Sequence, residues 1–246
     1  MRRFFTEPQN ICGDTAYIIE DAAHITKVLR MEAGDEVLIF DGSGYEYTAR
    51  LTEVSRESCA AEILSKEFSA QEPKIRVTVF QGIPKSGKMD GIIQKSVELG
   101  VFSVVPVAMD RCVSKLDKKA AVEKPKRWNK IAQEAAKQCG RGILPRVEEP
   151  IDFKEAVKRM ARLELAIMPY EELGHSGVSN LKEVLKSSDA KEIGVIIGPE
   201  GGFSDSEAQL AINSGIKTVG LGRRILRTET VSGAMLAMIM YETDEM

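Results

Sequence analysis

The chain has 246 residues, of which 43% are hydrophobic and 29% are charged, with 20 glycines and 9 prolines. This composition supplies enough apolar material for a packed core and excludes a disordered or fibrous protein. The length allows either one large domain or a small domain joined to a medium one.

The sequence pattern also argues against a membrane or metal-cluster protein. The apolar run at residues 234–240 is much shorter than the roughly 20 residues needed to cross a bilayer. Only two phenylalanines follow Arg2 and Arg3 before polar residues begin, so the apolar region of a secretory signal is missing. The four cysteines are far apart and form no C-x-x-C pair. We therefore expect a cytoplasmic protein with no membrane contact and no metal.

The net charge of −3 conceals an uneven distribution. Residues 1–72 hold 7 basic and 14 acidic residues, whereas residues 73–246 hold 27 basic and 23 acidic ones. Residues 111–146 alone hold 11 basic and 3 acidic residues. Such a cluster suits phosphate contacts, although a lysine-rich solvated helix face is the commoner meaning. Charge alone leaves both interpretations open.

The first 70 residues show the alternation of short β-strands. We predict one helix at 22–30, a hairpin turn at 41–44, and strands at 15–19, 36–40, 45–54 and 58–64. Several short strands at this spacing indicate a small β-barrel. The polar stretch 67–74 contains Pro73 close to its end and marks a boundary. The first predicted domain therefore covers residues 1–70.

Beyond residue 74, β-branched apolar runs alternate with segments of helical period. We predict strand and helix pairs at 75–80 and 89–100, 163–168 and 181–186, 193–197 and 205–213, and 216–221 and 229–241. A further strand at 101–107 precedes a helix with Pro125 in its first turn. This alternation predicts a mostly parallel sheet covered by helices, in an α/β domain over residues 74–246.

The segment at residues 82–88 is similar to a phosphate-binding P-loop, because it is glycine-bearing and lies between a strand and a helix. Met89 follows it and cannot supply the hydroxyl that holds Mg²⁺, and Pro84 removes a backbone N–H that the loop needs. A flexible basic loop is the better interpretation. NTPase activity is the alternative, and stabilisation by ATP with Mg²⁺ would favour it.

The strongest local signal is a glycine-rich segment after the predicted strand at 193–197. Gly198, Gly201 and Gly202 permit close backbone approach to a flat ligand. Ser204 and Glu207 have the spacing of a helix capping box. Ligands bind at the carboxyl ends of parallel strands, so this loop is a candidate binding loop. A plain tight turn is the alternative.

A second segment, at residues 220–230, shifts the balance toward binding. It places the apolar pair Ile225 and Leu226 between glycines and arginines. A loop exposed to solvent does not require two apolar side chains. Such a pair can instead pack against an adenine ring. The nearby arginines suit a polyanionic partner.

Together these segments, Ile-Gly-Pro-Glu-Gly-Gly-Phe at 197–203 and Leu-Gly-Arg-Arg-Ile-Leu-Arg-Thr-Glu-Thr at 221–230, resemble the RsmE family. These are SPOUT-class methyltransferases that methylate N3 of one uridine in 16S ribosomal RNA. The resemblance covers the whole chain, including Arg-Arg-Phe-Phe at 2–5, His-Ile-Thr-Lys-Val-Leu-Arg at 24–30 and residues 88–100. The family usually has Glu where this chain has Asp90 and often Thr where it has Ser96.

The resemblance implies an N-terminal PUA-like β-barrel followed by a SPOUT α/β methyltransferase domain with a C-terminal trefoil knot. It implies S-adenosylmethionine as cofactor, 16S ribosomal RNA within the small ribosomal subunit as partner, and a homodimer. Residues 234–240 are apolar on every face of a helix, which burial in a dimer or in the chain's own domain would explain.

The resemblance and the two loops together supply candidate binding residues. Those expected to bind the cofactor are Met168, Ile197, Gly198, Glu200, Gly201, Gly202, Leu221, Gly222, Ile225, Leu226 and Thr228. Those expected to contact RNA are Arg2, Arg3, His24, Arg30, Lys88, Arg111, Arg127 and Arg141. A structural role is an equally good explanation of His24.

Methylation of uridine N3 requires loss of the imide proton. Glu200 and Glu229 are the carboxylates at the two loops, and we favour Glu229 as the acceptor. Arg227 could stabilise negative charge on the uracil oxygens. Each residue also has another explanation. Glu229 could complement the helix dipole, Glu200 could fix its loop, and Arg227 could contact a phosphate. An RNA-binding protein without turnover is the alternative function, and cofactor binding distinguishes the two.

Overall fold

In the computed structural model, which describes residues 1–85, 87–113, 117–170 and 179–246, the chain forms two compact units. The first consists of Met1–Glu72 and Ala136–Leu144, and the second of Pro73–Ala135 and Pro145–Met246. The predicted domain limits were 1–70 and 74–246, whereas the two units meet between Glu72 and Pro73 and residues 136–144 belong to the first unit.

The first unit is built on a six-stranded sheet. Its strands are β1 (Arg2–Phe5), β2 (Ile11–Cys12), β3 (Thr15–Ile18), β4 (Glu36–Phe40), β5 (Tyr45–Val54) and β6 (Cys59–Phe68). Their order is β1-β4-β5-β6-β3-β2, antiparallel except for the parallel pair β1–β4. A 3-10 turn at Pro8–Asn10 precedes β2, and helix α1 (Ala22–His24) continues as a π-helix over Ile25–Leu29. The strands predicted at 36–40 and 45–54 are confirmed to the residue.

Alternating side chains give this sheet one apolar face. Val37 and Ile39 of β4 are fully buried, and they pack in one core with Ile18 and with Ile25 of the π-helix. Thr6, just beyond β1, donates its hydroxyl to the carbonyl of Tyr17 in β3. Since β1 and β3 lie toward opposite ends of the strand order, the sheet curls around its core as the predicted small barrel requires.

In the second unit, the described residues form an eight-stranded parallel sheet. Its strands are β7 (Arg76–Gly82), β8 (Ser103–Ala108), β9 (Arg146–Val147), β10 (Ile151–Asp152), β11 (Leu165–Pro169), β12 (Ser179–Asn180), β13 (Glu192–Ile197) and β14 (Lys217–Gly220). Their order is β10-β8-β7-β13-β11-β14-β12, and β9 also pairs with β8. The central strands are buried on both faces, which explains why they are nearly continuous apolar runs.

Among the described residues of this unit, six helices accompany the sheet. They are α2 (Lys88–Glu98), α3 (Lys118–Cys139), α4 (Phe153–Met160), α5 (Leu181–Lys186), α6 (Asp205–Asn213) and α7 (Thr228–Glu242). The predictions for α5 and α6 are confirmed to the residue, and those for α2 and α7 to within two residues. Helix α4 was not predicted, although Phe153, Val157 and Met160 form its buried face at helical spacing.

The prediction that Pro125 lies in the first turn of a helix is wrong. Helix α3 begins at Lys118, and Pro125 lies inside it. An interior proline removes one backbone hydrogen bond without forbidding the helix, so it is a poor marker of the start. Asn129 donates its side-chain amide to the carbonyls of Pro125 and Val147, which ties this part of the helix to β9.

The parallel arrangement brings the carboxyl ends of the central strands to one edge of the sheet. The segments that leave β13 and β14 there are the two glycine-rich loops of the sequence, residues 198–204 and 221–227. The start of α2 follows β7 at the same edge. In the described parts of the chain, no helix combines the length and apolarity that crossing a bilayer requires.

Candidate active site

A cavity of about 530 Å³ lies between the two glycine-rich loops. Of the eleven residues predicted to bind the cofactor, nine line it, and the exceptions are Met168 and Gly222. Arg227 and Lys88 also lie on its wall. The structure thus brings together most of the residues that the two loop motifs indicated, although the strands before these loops are separated in the sequence.

Met168 and Gly222 are not brought to the cavity. Met168 is fully buried in the core of the second unit, whereas the next residues, Pro169 and Tyr170, line the cavity. Pro169 ends β11 and Tyr170 follows it, so both lie at the carboxyl end of the strand beside the cavity, whereas Met168 is still within the strand. Gly222 is solvent-exposed with φ of 101°.

Sequence reasoning missed five lining residues, Pro169, Tyr170, Pro199, Phe203 and Val231. Pro199 and Phe203 are part of the motif itself, so their proximity to glycines was an available signal. The others had none, because a lone apolar side chain at a strand end or helix start is usually part of a core.

The loop after β13 is packed against its neighbours so closely that glycine is required. A Cβ atom at Gly82, at the end of β7, would lie 2.7 Å from the backbone nitrogen of Pro199. A Cβ atom at Gly198 would lie 3.1 Å from the backbone of Gly202, which itself has a left-handed φ of 68°. The loop therefore holds a defined shape that side chains would disturb.

The predicted capping box is confirmed, and it also holds the loop in place. The Ser204 hydroxyl accepts from the Glu207 N–H, and one Glu207 carboxylate oxygen accepts from the Ser204 N–H at 2.9 Å. The other carboxylate oxygen accepts from the Asp110 N–H at 2.9 Å. The segment after β8 is thereby joined to the start of α6.

Arg111, predicted to contact RNA, lies in this same segment. Its guanidinium donates to the carbonyl of Gly201 at 3.1 Å and lies 3.8 Å from Asp205. The side chain therefore supports the glycine-rich loop from outside, where nearly half of it is exposed.

Lys88 joins the two carboxylates that were predicted as candidate bases. Its Nζ lies 3.1 Å from Glu200 Oε1 and 3.2 Å from Glu229 Oε2. Glu200 also accepts from the backbone N–H of Lys85. Lys88 is thus held inside the site by two anions, and the P-loop-like segment presents its N–H to a carboxylate of the same chain. Ser86 of that segment lies outside the described residues.

These contacts set the protonation states of the cluster. Hydrogen bonds with Glu200 and then Glu229 raise the pKa of Lys88. The pKa of Glu229 is lowered by its own backbone N–H, although burial opposes this, and then by Lys88. Burial acts to raise the pKa of Glu200, but hydrogen bonds from its own backbone N–H and from Lys88 prevail and lower it. All three groups are therefore charged at neutral pH.

The two carboxylates differ in position. Glu200 lines the cavity, whereas Glu229 contacts Lys88 without lining it. Glu229 lies in the first turn of α7, where a carboxylate also complements the helix dipole. The structure therefore places Glu200, rather than the favoured Glu229, on the wall.

Apart from Lys88 and Arg111, which lie at the site described above, the residues predicted to contact RNA fall into two groups. Arg2, His24 and Arg30 are exposed on the first unit, and Arg127 is exposed on α3, where it pairs with Asp90. Arg3 and Arg141 are instead held inside the first unit.

Arg3 and Arg141 form one buried cluster. Arg3 pairs with Glu46 at 2.7 Å, donates to the carbonyl of Arg141 and lies 3.8 Å over the Phe40 ring. Arg141 pairs with Glu72 at 2.8 Å, with side chains only 5% and 3% exposed. Both arginines thus fix residues 136–144 within the first unit, and the structure does not offer them to RNA.

Among the described residues, no group of three or more His, Cys, Asp or Glu side chains is arranged to hold a metal ion. The cavity itself presents a glycine-rich backbone, an apolar lining and the charged groups Lys88, Glu200 and Arg227.

Comparison with known proteins defines the class. Residues 71–240 match the model of an RNA methyltransferase domain, and residues 20–64 match that of an RNA methyltransferase PUA domain. The chain is thus an RNA methyltransferase of two parts, a PUA domain followed by a parallel α/β catalytic domain.

Full-length relatives define the family. The ribosomal RNA small subunit methyltransferase E of Bacillus subtilis (strain 168) is 35% identical over 250 residues, covering 99% of this chain and 98% of the relative. The crystal structure of the enzyme of that name from Neisseria gonorrhoeae, bound to S-adenosylmethionine, is 34% identical with a TM-score of 0.85, covering 98% and 97%. A Legionella pneumophila methyltransferase with its cofactor S-adenosylmethionine bound is 30% identical with a TM-score of 0.85, covering 97% and 96%. The chain belongs to the ribosomal RNA small subunit methyltransferase E family, as the sequence motifs predicted.

Proposed function

We propose that this chain transfers a methyl group from S-adenosylmethionine to N3 of one uridine in the 16S RNA of the small ribosomal subunit. The observation that carries the proposal is the cavity between the loops after β13 and β14, where nine of the eleven expected cofactor residues converge. Family membership and the S-adenosylmethionine bound to two full-length structural relatives support it.

The residues of the cavity fit the cofactor. The backbone of Gly201 and Gly202 is open to a ligand on one side, and Ile197, Leu226 and Val231 supply apolar surface for a flat ring. The carboxylate of Glu200 complements the positive charge of a sulfonium or an amino group. When bound, S-adenosylmethionine supplies the electrophilic methyl group.

The chain's own residues act on the uridine. The imide N–H must be oriented and its proton accepted as N3 becomes nucleophilic. Glu200 is an anion on the cavity wall, so we assign it the hydrogen bond from the imide N–H and the proton that N3 loses, whereas Glu229 contacts Lys88 and does not line the cavity. Arg227, also on the wall, stabilises negative charge that develops on the uracil oxygens.

Finer features of the fold belong to the same proposal. Helix α7 follows β14, yet it packs against β7, which β11 and β13 separate from β14 in the sheet order, and against α2, which follows β7 in the chain. Such a return supports the expected trefoil knot. Met238 and Tyr241 are exposed apolar side chains on α7, and a second copy would cover them in a homodimer. A ribosomal RNA substrate is consistent with the expected cytoplasmic location.

Methyl transfer from labelled S-adenosylmethionine tests this proposal. Purified protein should label 16S RNA either as naked RNA or in assembled small subunits, and the comparison identifies the substrate form. Absence of label in both substrates, with the cofactor bound, would favour an RNA-binding protein without turnover.

A further inference from the structure

Gln81 is a fully buried polar residue at the end of β7. Its amide nitrogen donates to the Thr228 hydroxyl oxygen at 2.9 Å and to the carbonyl of Gly82 at 2.9 Å. Its amide oxygen accepts from the Ser232 hydroxyl at 2.7 Å. Thr228 and Ser232 are four residues apart and lie on one face of α7, so a single amide contacts both.

Thr228 extends this chain of hydrogen bonds to the cavity. Its hydroxyl donates to the carbonyl of Gly198 at 2.7 Å. A hydroxyl has one hydrogen to donate, so Thr228 uses it within the protein rather than on a ligand. Thr228 was predicted from its motif to bind the cofactor. Its hydroxyl instead holds the loop that forms the opposite wall of the cavity.

We propose that Gln81 is a positioning residue that shapes the cofactor cavity through Thr228. This inference rests on the proposed function. Gly198 and Gly202 give the loop a backbone that has many accessible conformations in isolation. The hydrogen bond from Thr228 fixes the Gly198 carbonyl, and Gln81 fixes the Thr228 hydroxyl, so the loop after β13 and the start of α7 keep one relative geometry.

Gln81 makes hydrogen bonds through two arms, one with Thr228 and one with Ser232. Comparing the loss of each arm distinguishes a positioning role from a contribution to the stability of the fold alone. The Thr228 arm continues to the cavity loop, whereas the Ser232 arm ends in α7, where the Gln81 amide oxygen at 2.7 Å and the Thr228 carbonyl at 3.1 Å are alternative acceptors for the one hydrogen of the Ser232 hydroxyl. Both arms are buried, so loss of either destabilises the fold to a similar extent. Only loss of the Thr228 arm releases the Gly198 carbonyl.

The test compares the dissociation constant for S-adenosylmethionine with the melting temperature of the unliganded protein in four variants. Thr228→Val and Gln81→Met should weaken cofactor binding about tenfold, the size of effect expected from one lost hydrogen bond. Thr228→Ser should bind normally because it keeps the hydroxyl. Ser232→Ala should lower the melting temperature and bind the cofactor normally.

Kinetics supply a second readout. The KM for S-adenosylmethionine should rise in Thr228→Val while kcat at saturating cofactor stays near the wild-type value. A Gln81→Met/Thr228→Val double variant should be no weaker in cofactor binding than either single one, because both remove the same contact. If Gln81→Met does not fold, the Val and Ser variants of Thr228 decide the matter.

Wild-type affinity in Thr228→Val would overturn the inference, as would a Ser232→Ala protein that loses cofactor affinity to the same degree. Both results would show that the buried hydrogen bonds stabilise the fold only. Failure of the wild-type protein to bind S-adenosylmethionine would contradict the proposed function, and the inference with it.

Discussion

At the scale of residues, the centre of the site is the cluster of Lys88, Glu200 and Glu229. One ammonium lies within 3.2 Å of both carboxylates, and each anion has its pKa lowered in part by that contact. A carboxylate with a low pKa is a weak base, so its value here lies in orientation and charge as much as in proton affinity. Because Glu200 lies on the cavity wall, we expect it to contribute more to methyl transfer than Glu229.

We predict that Glu200→Gln lowers kcat for methyl transfer about a hundredfold or more, the scale of general acid–base contributions. Glu229→Gln should lower it about tenfold or less, because Glu229 acts through Lys88. Steady-state kinetics at saturating cofactor and RNA measure both. The reverse order would restore Glu229 as the proton acceptor.

Removal of Lys88 should make activity more sensitive to acid. In Lys88→Met the two carboxylates lose their shared cation and repel each other, so their pKa values rise. We expect the acidic limb of the pH–rate profile to move to higher pH. Lys95→Met, an exposed lysine on the same helix, is the matched control and should leave the profile unchanged. An unaltered profile in Lys88→Met would show that the cluster does not govern turnover.

The same cluster should give stability a pH dependence. The pKa of Glu229 is lower in the folded protein than its ordinary value of 4.5, so its contribution is present above that value and is lost as the pH falls through the folded value. Glu229→Gln should therefore melt below the wild type at neutral pH, and the difference should vanish in strong acid. Melting temperatures across pH measure it, and a constant difference would contradict the assignment.

At the scale of elements, the loop after β13 is supported from three sides. The end of β7 packs against it at Gly82, the segment after β8 contacts it through Arg111, and α7 contacts it through Thr228. A loop that must approach a flat ligand with bare backbone has few side chains of its own to hold its shape, so neighbouring elements supply the contacts.

Gly82→Ala tests this support. The new Cβ atom would meet the backbone of Pro199, which has no flexible side chain to move aside. We expect a loss of about 1–3 kcal/mol in stability and weaker binding of S-adenosylmethionine. Gly91→Ala in α2 is the control, since nothing lies within 4 Å of its new Cβ atom, and it should stabilise the protein by about 0.5–1 kcal/mol. Equal effects at the two glycines would be inconsistent with close packing at Gly82.

At the scale of the whole molecule, the sequence predicted what is local or periodic. Strand and helix alternation gave the parallel sheet, and the two glycine-rich motifs gave most of the cavity wall. The ion pairs of Arg3, Arg141 and Lys88 were not predicted. Their partners lie 43, 69 and more than 100 residues away in the sequence, and no local pattern indicates such pairing. Residues 136–144 joined the first unit for the same reason.

RNA binding should follow exposure rather than charge alone. Arg2→Ala and Arg30→Ala should weaken RNA association and reduce its salt slope by about one per arginine, with the melting temperature unchanged. Arg3→Ala breaks a largely buried ion pair and should cost about 3 kcal/mol of stability. Filter binding at several salt concentrations and thermal melts measure these effects. An unchanged salt slope in the Arg2 and Arg30 variants would assign RNA contacts to another surface.

Methylation of uridine N3 is tested most directly by reverse transcription of unmethylated 16S RNA, or of small subunits containing it, after incubation with this protein and S-adenosylmethionine. An N3 methyl group removes the donor from the Watson–Crick edge of uridine. We therefore predict a strong stop of the reverse transcriptase at a single uridine, seen only when S-adenosylmethionine was present. A methylated product that is read through at every uridine, with the methyl group recovered on a ribose, would contradict it.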